Sequence, residues 1–272
     1  LNEKLIGVDR RRQLPQFKRK TLRSLAPVEP GQPDALLFND TFTNHYDPEI
    51  GLAAIRLMKR AGVRTALAAN HCCGRPQISK GLLGTARQMV ERNTEALYEG
   101  AAAGRPLVFC EPSCLSAVRE DAPALLRGES RRKAEKVASV SVLFEEFAAK
   151  LMDRLSLKPG PKSVLLHGHC HQKSMALVGP AKAMLSQIPG ASVVDLDAGC
   201  CGMAGSFGYL REHFEVSRAI GERRLFPAAR GLGSDAVLVA SGTSCRQQIA
   251  DFTGVRALHA AELIDSLLVS PA

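Results

Sequence analysis

The chain has 272 residues, of which 45% are hydrophobic, and a formal net charge of +9. This composition is typical of a globular protein, and no run of eighteen apolar residues is available to cross a membrane. No basic segment followed by an apolar one opens the sequence, so no secretory signal is recognisable. We therefore predict a cytoplasmic protein that meets a membrane only peripherally, through its partners.

The positive charge is concentrated at the start of the chain. Residues 1–24 contain eight Lys or Arg side chains against Glu3 and Asp9. A basic segment of this kind can bind nucleic acid, but Phe17 is its only aromatic residue, so we expect no nucleic-acid partner. We interpret the segment instead as a solvated linker that docks on another domain.

A tandem duplication organises the rest of the sequence. A shift of 128 residues carries the segment Ala35–Asp40 onto Ser163–Gly168, and the same shift carries the Cys-Cys-Gly at 72–74 onto the one at 200–202. The repeat therefore predicts two domains behind the basic segment. The expected boundaries are 1–30 for the linker or arm, 31–157 for the first repeat with a connecting helix, and 158–272 for the second repeat.

Each repeat shows short apolar runs that alternate with helical patterns. The first repeat predicts strands near 35–39, 63–68 and 106–110, and helices near 48–61, 79–102 and 112–127. The second predicts strands near 163–167, 192–196 and 236–240, and helices near 174–187, 209–228, 243–251 and 260–268. A helix over 131–155 is expected to join them. This alternation predicts an α/β fold with a small parallel sheet in each repeat, the two halves being related by a pseudo-two-fold.

Eight cysteines without a secretory signal favour metal or redox chemistry over a disulfide framework. In the second repeat, Cys170, Cys200, Cys201 and Cys245 all follow predicted strands, where open α/β sheets place their ligand sites. Four thiolates suit zinc or an iron–sulfur cluster. Adjacent side chains diverge, so the vicinal pair favours a cluster with several irons over a single zinc ion. Free thiols or a vicinal disulfide remain the alternative without metal.

Several motifs in the chain resemble those of a known family. They are Gly7-Val-Asp-Arg-Arg-Arg, Phe38-Asn-Asp-Thr-Phe-Thr-Asn, Cys72-Cys-Gly-Arg-Pro, Glu111-Pro-Ser-Cys, His167-Gly-His-Cys-His-Gln-Lys and Gly199-Cys-Cys-Gly-Met-Ala-Gly-Ser-Phe-Gly-Tyr. The cysteine pattern resembles the CCG domain of the B subunit of heterodisulfide reductase and of glycolate and lactate oxidase iron–sulfur subunits. The chain as a whole is more similar to the C-terminal region of FAD-linked D-2-hydroxy-acid dehydrogenases, including the D-lactate and D-2-hydroxyglutarate types.

The resemblance implies a [4Fe–4S] cluster on Cys170, Cys200, Cys201 and Cys245, with Gly202 letting the backbone pass close to it. It also implies a 2-hydroxy-acid substrate and FAD on a partner domain or subunit, because the chain has no Gly-rich dinucleotide loop. The expected function is electron transfer and active-site completion in a FAD-dependent 2-hydroxy-acid dehydrogenase. The alternatives are a zinc-stabilised interaction module and a disulfide-reducing cluster domain like that of heterodisulfide reductase.

The first repeat departs from the four-cysteine pattern. Phe42 stands at the position that matches Cys170, which leaves three candidate ligands, namely Cys72, Cys73 and Cys114. Cys110 ends an apolar strand and is expected to be a buried free thiol. This repeat is therefore predicted to be a degenerate structural copy, or a zinc site completed by His71 or His45.

Three histidines flank Cys170 at alternate positions, His167, His169 and His171. Imidazoles in this arrangement could ligate a metal, bind a substrate carboxylate or relay a proton. As the immediate neighbours of Cys170, His169 and His171 are the favoured catalytic residues.

Overall fold

The computed structural model describes residues 2–269, and the chain divides into two compact units. We call them the N-repeat unit, with Phe17–Lys158 and Ala261–Ala272, and the C-repeat unit, with Leu1–Gln16 and Pro159–Ala260. Both units thus combine two separate chain segments. The sequence boundaries had assigned the first segment to a linker and the last helix to the second repeat. The last helix joins the N-repeat unit because it buries Leu263 and Ile264, and its Asp265 pairs with Arg56.

A parallel sheet forms the centre of each unit. The N-repeat sheet contains β1 (Ala35–Leu37), β2 (Thr65–Leu67), β3 (Leu107–Phe109) and β4 (Ser141–Leu143) in the order β2-β1-β3-β4. The C-repeat sheet contains β5 (Ser163–His167), β6 (Ser192–Asp195) and β7 (Ala236–Ala240) in the order β6-β5-β7. All neighbouring strands are parallel. The α/β class and the parallel sheet in each repeat are confirmed, and the three strands common to both repeats have the same order.

Helices cover both sheets. The N-repeat unit contains α2 (Leu22–Leu25), α3 (Thr41–His45), α4 (Pro48–Arg60), α5 (Arg75–Ser79), α6 (Leu83–Ala102), α7 (Pro112–Ser116), α8 (Ala122–Leu125), α9 (Gly128–Val140), α10 (Phe144–Ala148) and, from Ala261 on, α16 (Ala260–Leu267). The C-repeat unit contains α1 (Asn2–Ile6), α11 (Cys170–Ser174), α12 (Val178–Leu185), α13 (Phe214–Glu222), α14 (Leu225–Arg230) and α15 (Thr243–Thr253). Within residues 2–269, no helix is both long and apolar enough to cross a membrane.

The predicted connecting helix over 131–155 differs in the structure. Helix α9 ends at Val140, and the chain then enters β4, whose Ser141 and Leu143 pair with Leu107 and Phe109 of β3. The run 140–143 has two valines and a leucine around a single serine, and a run this short satisfies a helical and an extended pattern equally well. Pairing with the exposed edge of β3 decides between them.

Two further predicted helices are interrupted. The helix expected over 174–187 is broken at Ala176, whose φ is +57°, outside the range of an α-helix. The helix expected over 209–228 begins only at Phe214 and restarts as α14 at Leu225, with Pro227 in the first turn of the new helix. Proline removes a backbone donor and is tolerated only at the start of a helix, so the restart is explained locally.

Candidate metal centre

Four cysteines of the C-repeat unit meet at the carboxyl edge of its sheet. Cys170 begins α11 after β5, Cys200 and Cys201 lie in the loop after β6, and Cys245 lies in the first turn of α15 after β7. Each side chain shifts the pKa of its neighbour in the order Cys170, Cys200, Cys201, Cys245. Cys245 and Cys201 are buried, whereas Cys170 is exposed. We call this set the thiol row.

Interactions within the thiol row shift the pKa values of its members in opposite directions. Hydrogen bonds from Cys170 and Cys201 lower the pKa of Cys200, and the bond from Cys201 also lowers the pKa of Cys245. The same contacts, together with burial, raise the pKa of Cys170 and of Cys201. The pKa is therefore lowered at Cys200 and Cys245 and raised at Cys170 and Cys201. A lowered pKa favours the thiolate, which is the form that binds iron or zinc.

Cationic or ionisable nitrogen groups surround the thiol row. His167 and His169 both act to lower the pKa of Cys245, and Lys173 acts to lower that of Cys170. On the buried side, the guanidinium of Arg12 interacts electrostatically with Cys201. These nitrogen groups favour negative charge on the sulfurs, whereas burial opposes it.

The predicted histidines also have local structural contacts. His169 caps α11, where its Nδ1 accepts a hydrogen bond from the His171 N–H at 3.2 Å, and its Nε2 lies 3.3 Å from Ser244 Oγ. The rings of His169 and His171 are stacked with centroids 5.5 Å apart. The fold therefore holds His169 between the Cys170 and Cys245 segments. A catalytic part for either residue stays a prediction.

Glycines allow the loops of the centre to pack closely. Gly202 has a φ of +93°, and a Cβ added there would lie 2.2 Å from the backbone oxygen of Ser217. A Cβ on Gly242, just before α15, would lie 2.2 Å from the His169 ring. Any larger residue would push the CCG loop or α15 away from its neighbour. The N–H of Gly202 also donates to Cys200 Sγ at 3.3 Å.

The N-terminal segment brings a buried charge to the centre, which the sequence analysis did not predict. Arg12 Nη1 forms an ion pair with Asp251 Oδ2 at 3.1 Å, and both side chains are almost fully buried. The guanidinium carbon lies 5.1 Å from the ring centroid of Tyr209 and 5.0 Å from that of Phe252. The motif Gly7–Arg12 was the available signal, but its charge suggested a solvated arm.

From Arg12 a chain of hydrogen bonds reaches the CCG loop. Arg12 Nη2 donates to Gln248 Oε1 at 2.6 Å and to Met203 Sδ at 2.9 Å. Gln248 Nε2 donates to Ser217 Oγ at 2.9 Å, and Ser217 Oγ donates to the Gly202 carbonyl at 2.7 Å. Arg12 thus fixes the backbone that follows Cys201.

The thiols of the N-repeat unit lie in a different environment. Cys73 Sγ is 3.2 Å from Cys114 Sγ, and Cys72 contacts Cys73. The hydrogen bond from Cys73 lowers the pKa of Cys114, but burial and the nearby carboxyl groups of Asp40 and Glu111 raise it to about 11. These two acids are themselves buried. Negative charge on the sulfurs is therefore opposed here.

The fourth position of the N-repeat set does not carry a thiol. Phe42 packs toward Tyr46, with ring centroids 6.1 Å apart, and Cys110 is buried at the end of β3. His45 and His71 lie near Cys72, in the wall of a shared pocket. In the part of the chain that the structure describes, no group of three or more His, Cys, Asp or Glu side chains surrounds a point as a single ion requires. In the N-repeat unit, Cys73 and Cys114 contact each other instead.

Comparison with known proteins gives a family match in both units. The family described as "Cysteine-rich domain" (CCG) matches residues 39–119 and 164–250. The C subunit of anaerobic glycerol-3-phosphate dehydrogenase from Escherichia coli (strain K12) is 29% identical over 97% of this chain and 67% of that protein. D-2-hydroxyglutarate dehydrogenase of the same strain is 29% identical over 81% of the chain and 21% of that protein. The B subunit of fumarate reductase (CoM/CoB) from Methanothermobacter marburgensis is 26% identical over 74% of the chain and 38% of that protein.

Proposed function

The chain belongs to the family of cysteine-rich CCG domains, and from this premise we propose that it holds an iron–sulfur cluster and transfers electrons for a catalytic partner. The proposed ligands are the thiol row, Cys170, Cys200, Cys201 and Cys245. Its relatives are components of dehydrogenases and reductases, which supports a role in oxidoreduction. We propose no cluster in the N-repeat unit, where Asp40 and Glu111 oppose negative charge near the sulfurs.

The observation that carries the proposal is that the thiol row lies among cationic and ionisable nitrogen groups. Thiolate sulfur is the usual ligand of iron–sulfur clusters, so the donor set fits such a group. Clusters with thiolate ligands accumulate negative charge, which Arg12 and His167 would stabilise. The N–H of Gly202 supplies the kind of donor that tunes a ligating sulfur.

The residues of the chain would bury, hold and orient the group. An iron–sulfur cluster, when bound, supplies a site that accepts and donates single electrons. Cys201, Met203 and Cys245 pack into the apolar core of the C-repeat unit, which excludes water from that side. Cys170 reaches the surface at the other end of the thiol row. Electron exchange with a partner is therefore proposed at the Cys170 end.

The finer part of the proposal concerns that partner. We propose that it carries FAD and oxidises a 2-hydroxy acid, because hydride removal needs an acceptor that amino-acid side chains do not provide. The similarity to D-2-hydroxyglutarate dehydrogenase, of which this chain matches 21%, supports the assignment. The sequence itself contains no Gly-rich dinucleotide loop. The chain is thus proposed as the electron-handling part of a larger dehydrogenase.

Metal analysis of two matched variants tests the proposal. Iron and acid-labile sulfide are measured in anaerobically prepared protein and in its Cys245→Ser and Cys110→Ser variants. Both cysteines are buried, so a serine disturbs the packing similarly at each. We expect Cys245→Ser to lose most of the iron and Cys110→Ser to keep it. The reverse pattern contradicts the ligand assignment, and zinc in place of iron favours the zinc-stabilised module.

A further inference from the structure

A polar pocket in the N-repeat unit is not used by the proposed cluster. It has a volume of about 400 Å³ and lies where the chain leaves β1 and β2, with Cys72 in its wall. This size lies within the range of small-molecule sites, roughly 300–1,000 Å³. One arginine, two histidines, three asparagines, two threonines and one cysteine line the pocket, with no carboxylate among them. The lining therefore offers hydrogen-bond donors and positive charge.

We propose that this pocket binds a small organic anion, one whose carboxylate or phosphate group lies beside a hydroxyl group. Arg23 is the permanently charged residue among those that line the pocket. A guanidinium binds a carboxylate or a phosphate through two parallel hydrogen bonds. The hydroxyl oxygen of Thr41, an exposed residue that also lines the pocket, can accept a hydrogen bond, and a hydroxyl group on the ligand supplies one.

Hydrogen bonds preform the wall of the pocket on the α2 and α3 side. Asn44 Oδ1 accepts from the Arg23 N–H at 3.0 Å, which fixes the backbone that carries the guanidinium. The Nδ2 of the same asparagine lies 2.9 Å from His45 Nε2. One amide therefore ties the arginine segment to the histidine side chain.

The opposite wall is held by two other asparagines. Asn70 Oδ1 accepts from the Asn39 N–H at 2.9 Å and links the loops that follow β1 and β2. Asn93 of α6 accepts from the His71 N–H at 2.8 Å and donates to the Cys72 carbonyl at 2.7 Å. A preformed wall lowers the entropy cost of ligand binding. The pocket thus has the organisation of a built site.

The tandem repeat explains why a pocket lies here. The shift of 128 residues places Asn39 and Thr41 at the positions of His167 and His169, and Phe42 at that of Cys170. The Phe42 ring packs toward Tyr46 and does not line the pocket. At these positions the N-repeat unit has a phenyl ring where the C-repeat unit has a thiol, and smaller polar side chains where it has the two imidazoles. The inference goes beyond the proposed function, because ligand binding here requires no cluster.

Calorimetric titration of the 272-residue chain in the presence of EDTA tests the inference. The probes are inorganic phosphate, lactate, acetate and chloride, which separate the phosphate, hydroxy-carboxylate, plain carboxylate and simple-anion cases. We expect lactate or phosphate to bind, lactate to bind more tightly than acetate, and chloride to bind weakly. Arg23→Gln should weaken the binding at least about tenfold, since a charge-assisted hydrogen bond is lost. The ring signals of His45 and His71 in NMR spectra should shift with saturation.

Arg105→Gln is the matched control, because Arg105 lies before the amino end of β3 and bonds to Gln32. It should leave the affinity unchanged. Equal weakening by both substitutions, or affinity for chloride equal to that for lactate and phosphate, overturns the inference. Acetate binding as tightly as lactate overturns the hydroxyl assignment. Binding that appears only when zinc replaces EDTA shows a metal site instead.

Discussion

Loss of the buried charge of Arg12 should destabilise the C-repeat unit strongly. The Arg12 side chain is fully buried, and its Nη1 lies 3.1 Å from Asp251 Oδ2. Arg12→Met retains an apolar chain of similar length but leaves the Asp251 carboxyl group without its cation. Removal of one partner of a buried ion pair costs about 3–5 kcal/mol. This range corresponds to a roughly 100- to 4,000-fold change in the unfolding equilibrium.

The destabilisation should also depend on pH. Burial raises the pKa of Asp251, and Arg12 opposes that rise. Without Arg12 the pKa in the folded state rises further, whereas the unfolded chain titrates near the ordinary aspartate value of about 3.9. Above that pH, Asp251 in the folded variant must either stay ionised without its cation or keep a proton that the unfolded chain has lost. The stability difference between wild type and variant should therefore be small near pH 4 and grow toward neutral pH.

Native-state hydrogen exchange is the suitable assay, because a chain of two units need not unfold in one step. Peptides that cover 202–217 and α15 report on the C-repeat unit. Arg10→Met, at an exposed neighbouring position, is the control and should change little. The double variant Arg12→Met/Asp251→Leu should recover most of the protection, since both charges are gone. Exchange in Arg12→Met equal to that in Arg10→Met, or no recovery in the double variant, would refute the reasoning.

Three further predictions concern the C-repeat unit and the whole chain. Gly202→Ala should destabilise the C-repeat unit much more than Gly205→Ala, which should cost about 1–2 kcal/mol. Both residues have a positive φ, but only at Gly202 would the added Cβ meet a backbone atom, 2.2 Å away. Equal exchange rates in α13 of the two variants would contradict this. Arg11 donates a hydrogen bond to Asp9 and lowers the pKa of Asp9 to about 2. The contribution of the Asp9 carboxylate to the free energy of unfolding should therefore be complete above about pH 4 and disappear as the pH falls through 2. NMR signals of residues 7–12 should follow this transition in wild type and not in Asp9→Asn; an unchanged transition in the variant would refute it. The cluster-loaded chain alone should not oxidise D-lactate, D-2-hydroxyglutarate or glycolate, because it has no hydride acceptor; dye reduction at about one turnover per second or more without a flavoprotein would show otherwise.

Much of the fold could be predicted because its signals are local. The runs that form β5 and β7 are apolar and bounded by turn residues, and both strands have the predicted limits. The CCG segments follow β2 and β6 outside any helix, as the strand pattern indicated. By contrast, β4 was not predicted, since its identity depends on pairing with β3. An edge strand of three residues has too little sequence pattern to be recognised by itself.

The duplication, the class of fold and the four cysteines that meet in the second repeat could all be inferred from the amino-acid sequence. These follow from periodicity and from residue spacing, which a chain carries before it folds. The charges and the burial around each set of thiols, by contrast, are visible only in the folded chain. Arg12 reads as a solvated charge until Asp251, more than two hundred residues away, is brought within 3.1 Å of it. The same is true of Asp40, which raises the pKa of Cys114 only because folding brings its carboxyl group near that sulfur. Charge and burial are properties of an environment, and the environment is assembled from residues distant in the chain.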